Sequence, residues 1–391
     1  MPSPHAAAFV LDPRVTFLNH GAFGACPRAV LEHQTDLRLR MEANPVQFLA
    51  RELTHRIDRA REAFASFVGA VPEDLVFVRS TTEAVNTVLS SLRLEPGDEL
   101  LTTDHAYSAC RRALERTAEK HRARVVVAQL PTLVGGPGDV VDAIADAASA
   151  RTRAALVDHI TSPTALVMPI DEIVTALAER GIDTIVDGAH APGSVPVDLE
   201  SLGAAYYAAS LHKWLGAPKG AALLHVRRDR QKDLLPLAIS HGPLPSSRRP
   251  ALWEEFDWTG TTDPTPWLSA PFALQTLSNL LPGGISALMD RNRQLARRAR
   301  DALCSALTID PPAPDSMLAS MLALPLEPDP SASEGEVDPL RGAILTRHAI
   351  EVGMSPWPSS PRRALRISCP IYVGDDDIER LIEAVRAELP A

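Results

Sequence analysis

Residues 184–193 read Thr184-Ile185-Val186-Asp187-Gly188-Ala189-His190-Ala191-Pro192-Gly193, and residues 208–220 read Ala208-Ala209-Ser210-Leu211-His212-Lys213-Trp214-Leu215-Gly216-Ala217-Pro218-Lys219-Gly220. The first is a short β-branched run closed by an acid and a glycine, the pattern of a buried strand that stops at Asp187. The second follows another apolar run and carries a lysine just beyond it. In open α/β sheets, ligands sit outside the carboxyl ends of the strands. Asp187 and Lys213, 26 residues apart, are therefore expected at one edge of one sheet.

Outward from this pair, short strand runs alternate with helical patterns. The strands are expected at Leu75–Val78, Glu99–Thr103, Arg124–Leu130, Ala154–His159, Thr184–Asp187, Tyr206–Ala209 and Ala221–Val226. Helices are expected at Ile57–Phe67, Val140–Ala148 and Ile170–Arg180. Such alternation needs crossover connections, which predicts a mostly parallel seven-stranded sheet between helices. After the Pro282-Gly283-Gly284 break come a long helix at Ile285–Leu307, a Pro/Ser/Glu loop near Pro328–Val337, shorter strands, and a helix at Ile378–Leu389. The expected division is a large α/β domain over 16–274 and a smaller α+β domain over 275–391, with an N-terminal arm, 1–15, folded back onto the latter.

Composition removes several function classes. The 391 residues carry a net charge of −10, against the basic patches that nucleic-acid binding needs. No apolar run is long enough to span a bilayer, so no membrane partner is expected. Residues 1–15 lack the charged start and apolar stretch of a secretory signal, and Cys26, Cys110, Cys304 and Cys369 are too scattered for a disulfide framework. A reduced, cytoplasmic setting is expected. No GxGxxG, GxSxG or HExxH occurs, and Gly216–Gly220 places its lysine out of frame for a phosphate loop. No metal site is expected.

An acid and a lysine facing one pocket suit pyridoxal 5′-phosphate. The lysine forms a Schiff base, and the acid partners the pyridine nitrogen so that the ring acts as an electron sink. Taken singly, Asp187 also fits a capping acid and Lys213 a solvated surface lysine. Only Lys120, Lys213, Lys219 and Lys232 are lysines among 39 basic residues, so this chemistry has four possible seats.

Further segments extend the pattern: Phe17-Leu18-Asn19-His20-Gly21-Ala22-Phe23-Gly24, Asn44-Pro45-Val46-Gln47-Phe48, Arg79-Ser80-Thr81-Thr82-Glu83-Ala84-Val85-Asn86 and Thr103-Asp104-His105-Ala106-Tyr107. With them stand His159-Ile160-Thr161-Ser162-Pro163-Thr164, Trp258-Thr259-Gly260-Thr261-Thr262-Asp263 and Leu365-Arg366-Ile367-Ser368. In these segments the chain resembles the class V aminotransferase family of fold type I pyridoxal phosphate enzymes, and within it the isopenicillin N epimerase-like branch.

The resemblance implies site roles residue by residue. Lys213 is the Schiff-base lysine and the acid/base at Cα, and Asp187 bonds the pyridine nitrogen. Thr81 and Thr82 open a helix near Glu83 whose N-terminus suits a phosphate, although Thr-Thr-Glu also describes a plain cap. Ser210 and His212 resemble phosphate contacts, where a histidine beside a lysine is otherwise a polar surface pair. His105 resembles the residue stacked on the ring, with Tyr107 as a substitute and an ordinary loop histidine as the alternative. His190 and Ser162 are expected near the phenolic oxygen, with serine standing where the family often has asparagine. Thr261 and Thr262 resemble a loop that reaches the neighbouring subunit's phosphate, which implies a homodimer with shared active sites; a capped turn fits equally. Arg366 resembles the arginine that grips the substrate α-carboxylate, a role suited to its planar fork, although a surface-paired strand arginine also fits. Asn19 and His20 are expected to approach the amino-acid substrate from the N-terminal arm.

The implied reactions all start with loss of a proton at Cα. A persulfide-forming desulfurase needs a cysteine on the loop before the substrate arginine, and residues 352–359 hold none. Epimerisation, the expected outcome, needs a second proton donor opposite Lys213, from Tyr107, His20 or Cys110. A Cβ–S lyase or an aminotransferase needs only one base. Tyr372-Val373 stands where the family often has Tyr-Asn. A cofactor-binding protein without turnover is the reading from another class. The lysine in its expected context favours an enzyme.

Overall fold

Strands in this chain form where apolar runs are buried on both faces. The computed structural model describes residues 3–243, 245–330, 337–357 and 362–389. The Ser331–Glu336 part of the expected loop, and Pro358 and Ser359 of the segment before Arg366, lie outside the described residues. The strands are β1 (Thr16–Phe17), β2 (Leu75–Val78), β3 (Glu99–Thr103), β4 (Arg124–Ala128), β5 (Thr152–Asp158), β6 (Asp183–Asp187), β7 (Tyr206–Ser210), β8 (Ala222–Val226), β9 (Met321–Leu326), β10 (Ile350–Glu351), β11 (Gly353–Pro356) and β12 (Arg363–Ser368).

Seven of them form one sheet in the order β2-β8-β7-β6-β5-β3-β4. The five neighbours from β7 to β4 run parallel, and β8 runs antiparallel to both β7 and β2. The expected sheet is present, with one reversed strand. Along each strand alternate residues feed two cores. Phe77, Leu101, Val157, Val186 and Tyr207 pack on one face, with the Leu53–Val68 and Ile170–Ala178 helices. Val76, Leu100, Leu156, Ile185 and Ala208 pack on the other, with the Thr81–Ser91 and Ser108–His121 helices. Burial on both faces explains why these strands read as continuous apolar runs. β4 begins with exposed Arg124 and sits at the sheet edge, where a charge discourages pairing with another chain.

A second sheet, β11-β12-β9, is antiparallel and packs with the Gly284–Leu307 and Asp375–Glu388 helices around Leu295, Leu324, Leu365, Ile367 and Leu381. The N-terminal segment joins this body. β1 pairs parallel with β10, Ser3 Oγ donates to the Ile371 carbonyl at 2.6 Å, and Phe9 packs edge-on to Tyr372. The Thr265–Ser278 helix runs across position 274/275, with Ala270 and Ala273 in the first body's core and Leu277 in the second's.

Candidate active site

Period two decides which side chains meet at the carboxyl edge of the large sheet. Asp158, Asp187 and Ser210 end β5, β6 and β7, each two residues beyond an apolar residue of the Thr81–Ser91 face. Asp158 and Asp187 are register partners. Both carboxyls are buried, and desolvation pushes both above the usual carboxylate range. Asp187 accepts the Ala189 amide at 3.0 Å and the Cys110 thiol at 3.2 Å. Among the described residues it makes no ion pair within 4 Å, so its charge is open to a cationic ring nitrogen. Sequence reasoning passed over Asp158. Its signal was an apolar run ending in an acid on the strand beside β6.

Lys213 lies on the loop after β7, and burial lowers its amine to about 8 against the opposing pull of Asp187. Its Nζ lies 3.1 Å from His190 Nε2. Trp214 Nε1, which can only donate, reaches His190 Nδ1 at 3.4 Å. That places the His190 proton on Nε2, aimed at Lys213, and suits a neutral amine. The loop is clamped from the N-terminal segment. Gly24, at φ +73°, lies so close that a Cβ there would meet the His212 carbonyl at 2.1 Å.

Thr81 and Ser210 meet through their hydroxyls at 2.8 Å, at the N-terminus of the eleven-residue Thr81–Ser91 helix. Thr82 follows on the first turn, where its carbonyl accepts Asn86 Nδ2 at 2.8 Å. Two hydroxyls at a helix N-terminus are a fit for a phosphate. His212 turns to the Ala221 carbonyl at 3.2 Å through Nδ1, and burial lowers it to about 4. His105, on the loop after β3, bonds Thr164 Oγ1 at 2.7 Å through Nδ1 and meets the Trp357 ring edge-on at 4.6 Å between centroids. Its Nε2 is buried with no hydrogen-bond partner among the described residues. An orphaned ring nitrogen, a buried amine, a buried acid without a cation and a hydroxyl pair at a helix end together fit pyridoxal phosphate.

Arg366 comes from β12 of the other sheet. Its Nη1 donates to the Ser162 carbonyl at 2.6 Å and to Ser162 Oγ at 3.1 Å, and its Nη2 to Asn19 Oδ1 at 3.2 Å. All three partners are neutral, its Nε has no hydrogen-bond partner among the described residues, and burial lowers the guanidinium to about 10. Ser162 thus faces the guanidinium. His20 is placed behind the lysine loop: Nε2 bonds the Lys213 carbonyl at 3.0 Å and Nδ1 the Tyr372 hydroxyl at 2.9 Å. The Cys110 thiol is buried, is turned to Asp187 and is pushed upward by desolvation. Tyr107 is 41% exposed, and burial, then Cys110 and Asp187, push its phenol upward against the opposing effect of Arg366. Thr261 and Thr262 are not brought to this cluster. They are exposed and line a recess of about 180 Å³ with Arg79 and Glu83.

A family profile described as Aminotransferase class-V matches residues 16–381. The chain is 36% identical over 394 residues to an isopenicillin N epimerase of Streptomyces clavuligerus, covering 97% of this chain and 96% of that protein. It is 30% identical to a probable chloroplastic L-cysteine desulfhydrase of Arabidopsis thaliana, covering 96% and 83%. Among solved structures, a cysteine desulfurase of Escherichia coli superposes with a TM-score of 0.76 at 24% identity, covering 98% and 97%, which shows the shared fold.

Proposed function

Because the chain belongs to the class V aminotransferase family and is a pyridoxal 5′-phosphate-dependent enzyme of fold type I, we propose that it inverts the Cα centre of an amino-acid substrate, as an isopenicillin N epimerase-like epimerase. The observation that carries the amino-acid part is Arg366, a buried guanidinium whose hydrogen-bond partners among the described residues are all neutral, which a substrate carboxylate completes. The similarity to an epimerase over nearly the full length supports inversion.

When bound, the cofactor accepts the electron pair left at Cα. Lys213 then holds and moves the proton on one face, its amine lowered by burial to about 8, close enough to neutral pH to exchange a proton, with His190 Nε2 3.1 Å away. Asp187 holds the pyridine nitrogen. Thr81, Thr82, Ser210 and His212 would hold the phosphate, His105 and His190 would flank the ring, and Ser162 steadies Arg366. Asn19 and His20 set Arg366 and the Lys213 loop in place. Of the three candidates for the opposite face, Cys110 is committed to Asp187, and His20 uses both ring nitrogens. Tyr107, 41% exposed as a residue, is the proposed second donor. We also propose a homodimer in which Thr261 and Thr262 reach the partner's phosphate; their exposure supports it.

C–S bond cleavage is the second reading, favoured by the full-length similarity to a desulfhydrase. One experiment separates them. The wild type and Lys213→Ala are scanned for a visible cofactor band that borohydride fixes, then mixed with amino acids in deuterated water. Inversion with deuterium at Cα is expected, from a species that sediments as a dimer. Release of sulfide and a keto acid without inversion selects cleavage. No band in the wild type after adding pyridoxal phosphate defeats both.

A further inference from the structure

Thr161 and Thr164 form a short relay behind His105. The Leu166 amide donates to Thr161 Oγ1 at 2.8 Å, Thr161 Oγ1 and Thr164 Oγ1 lie 2.7 Å apart, and Thr164 Oγ1 lies 2.7 Å from His105 Nδ1. The hydroxyls and ring are all buried. An amide can only donate, so one end of the chain has a fixed direction. If each hydroxyl passes its proton onward, Thr161 donates to Thr164 and Thr164 donates to Nδ1, and every bond is 2.8 Å or shorter. The reverse direction makes Nδ1 the donor and leaves the Thr161 proton, among the described residues, only the Leu166 carbonyl at 3.5 Å, an acceptor already taken by the Thr161 amide at 3.0 Å. A buried hydroxyl with so poor an acceptor is costly.

A second observation agrees. Asp104 Oδ1 lies 3.9 Å from His105 Nε2, too long for a hydrogen bond but close enough to favour a proton there. Asp104 is itself held by the Leu130 amide at 3.0 Å. The other neighbour facing the ring, Trp357, meets it edge-on. Burial lowers the imidazole to about 4, so at neutral pH it carries a single proton.

We propose that Thr161 and Thr164 are positioning residues that fix His105 as the neutral Nε2–H tautomer, so that the ring keeps a hydrogen-bond donor and no free lone pair. The tautomer of a histidine is set by the bond that its other nitrogen makes. A ring in that tautomer can donate a hydrogen bond but cannot take the Cα proton. This last consequence rests on the pyridoxal phosphate reading; the tautomer itself does not.

The test is nitrogen-15 NMR on histidine-labelled holoenzyme and apoenzyme, with His105 assigned by the signals lost in His105→Gln. In both forms His105 is expected to show protonated Nε2 and bare Nδ1, unchanged from pH 8 to pH 5.5. Thr164→Val is expected to lose that fixed pattern and to lower kcat about tenfold with little change in KM, whereas Thr164→Ser restores both. A wild-type pattern with the proton on Nδ1, or a Thr164→Val pattern identical to wild type, overturns the proposal. Should Thr164→Val fail to fold, Thr161→Val carries the same test, because it removes the hydroxyl through which the Leu166 amide directs Thr164 toward Nδ1, and a pattern identical to wild type again overturns the proposal. A missing cofactor band with the expected tautomer would defeat the functional reading alone.

Discussion

Arg366 is buried on the strength of three neutral acceptors, so its charge is solvated but unmatched. That is an unfavourable place for a cation unless an anion joins it, because burial penalises a charge that has no partner. Removing one partner of a desolvated, hydrogen-bonded charge pair costs about 2–5 kcal/mol. Arg366→Gln is therefore expected to lower kcat/KM for an α-amino acid roughly 30-fold or more, mainly through KM. Steady-state kinetics check it, with an amine lacking the carboxylate as control; equal losses on both would remove Arg366 from carboxylate binding. At this scale the sequence singled out Lys213 and Asp187, because an acid and a lysine at neighbouring strand ends carry chemistry in their own side chains, and Arg366 through the resemblance alone. It did not disclose that Ser162 serves the guanidinium, a contact between residues 204 apart, nor that His20 uses both its nitrogens on Tyr372 and the Lys213 carbonyl.

The Thr81–Ser91 helix starts where Ser80, in extended conformation, accepts the Glu83 amide on its hydroxyl at 3.1 Å. Glu83 reaches back to the Arg79 amide at 2.9 Å and pairs with the Arg79 guanidinium. The cap and the proposed phosphate seat thus share one turn, so the two descriptions of Thr-Thr-Glu hold together. Ser80→Ala is expected to cost about 1 kcal/mol of stability, as loss of a serine cap does, and to weaken pyridoxal phosphate binding several-fold as the first turn frays. Thermal unfolding and cofactor titration measure the two effects, and Ser80→Thr should preserve both. A variant with wild-type stability would show that Ser80 caps nothing of consequence. Helix and strand positions were legible because apolar spacing is a local property: the expected Leu75–Val78 and Glu99–Thr103 match the observed bounds, and Thr184–Asp187 differs by one residue. The reversal of β8 was not legible, since alternation along a strand carries no sign of its direction.

The whole molecule keeps many titratable groups in apolar surroundings. Burial lowers His20 to about 3 and His105, His159, His212 and His225 to about 4, and His190 falls well below its ordinary value. Between about pH 6.5 and 4 the unfolded chain holds more of these protons than the folded one, so stability falls as pH falls. Asp257, raised to about 6, acts in the opposite sense, as do Asp158 and Asp187, but these are fewer. Each histidine contributes up to about 1.4 kcal/mol per pH unit in its window. The apoenzyme Tm is expected to drop by several degrees from pH 7 to pH 5 in calorimetry; a flat profile would mean that these rings are solvated. We propose a division into two units near 274/275, supported by the separate cores, although the Thr265–Ser278 helix contributes to both. By itself the sequence determined the large sheet, its carboxyl edge, and the acid and lysine placed there, because burial periodicity and strand ends are written in neighbouring residues. Only the tertiary structure decided that β1 pairs with β10, that Asn19 meets Arg366, that Asp158 lies beside Asp187, and that two threonines stand behind His105. Those contacts join residues far apart in the chain, and what brings such residues together is the packing of whole sheets and helices, which no local spacing encodes.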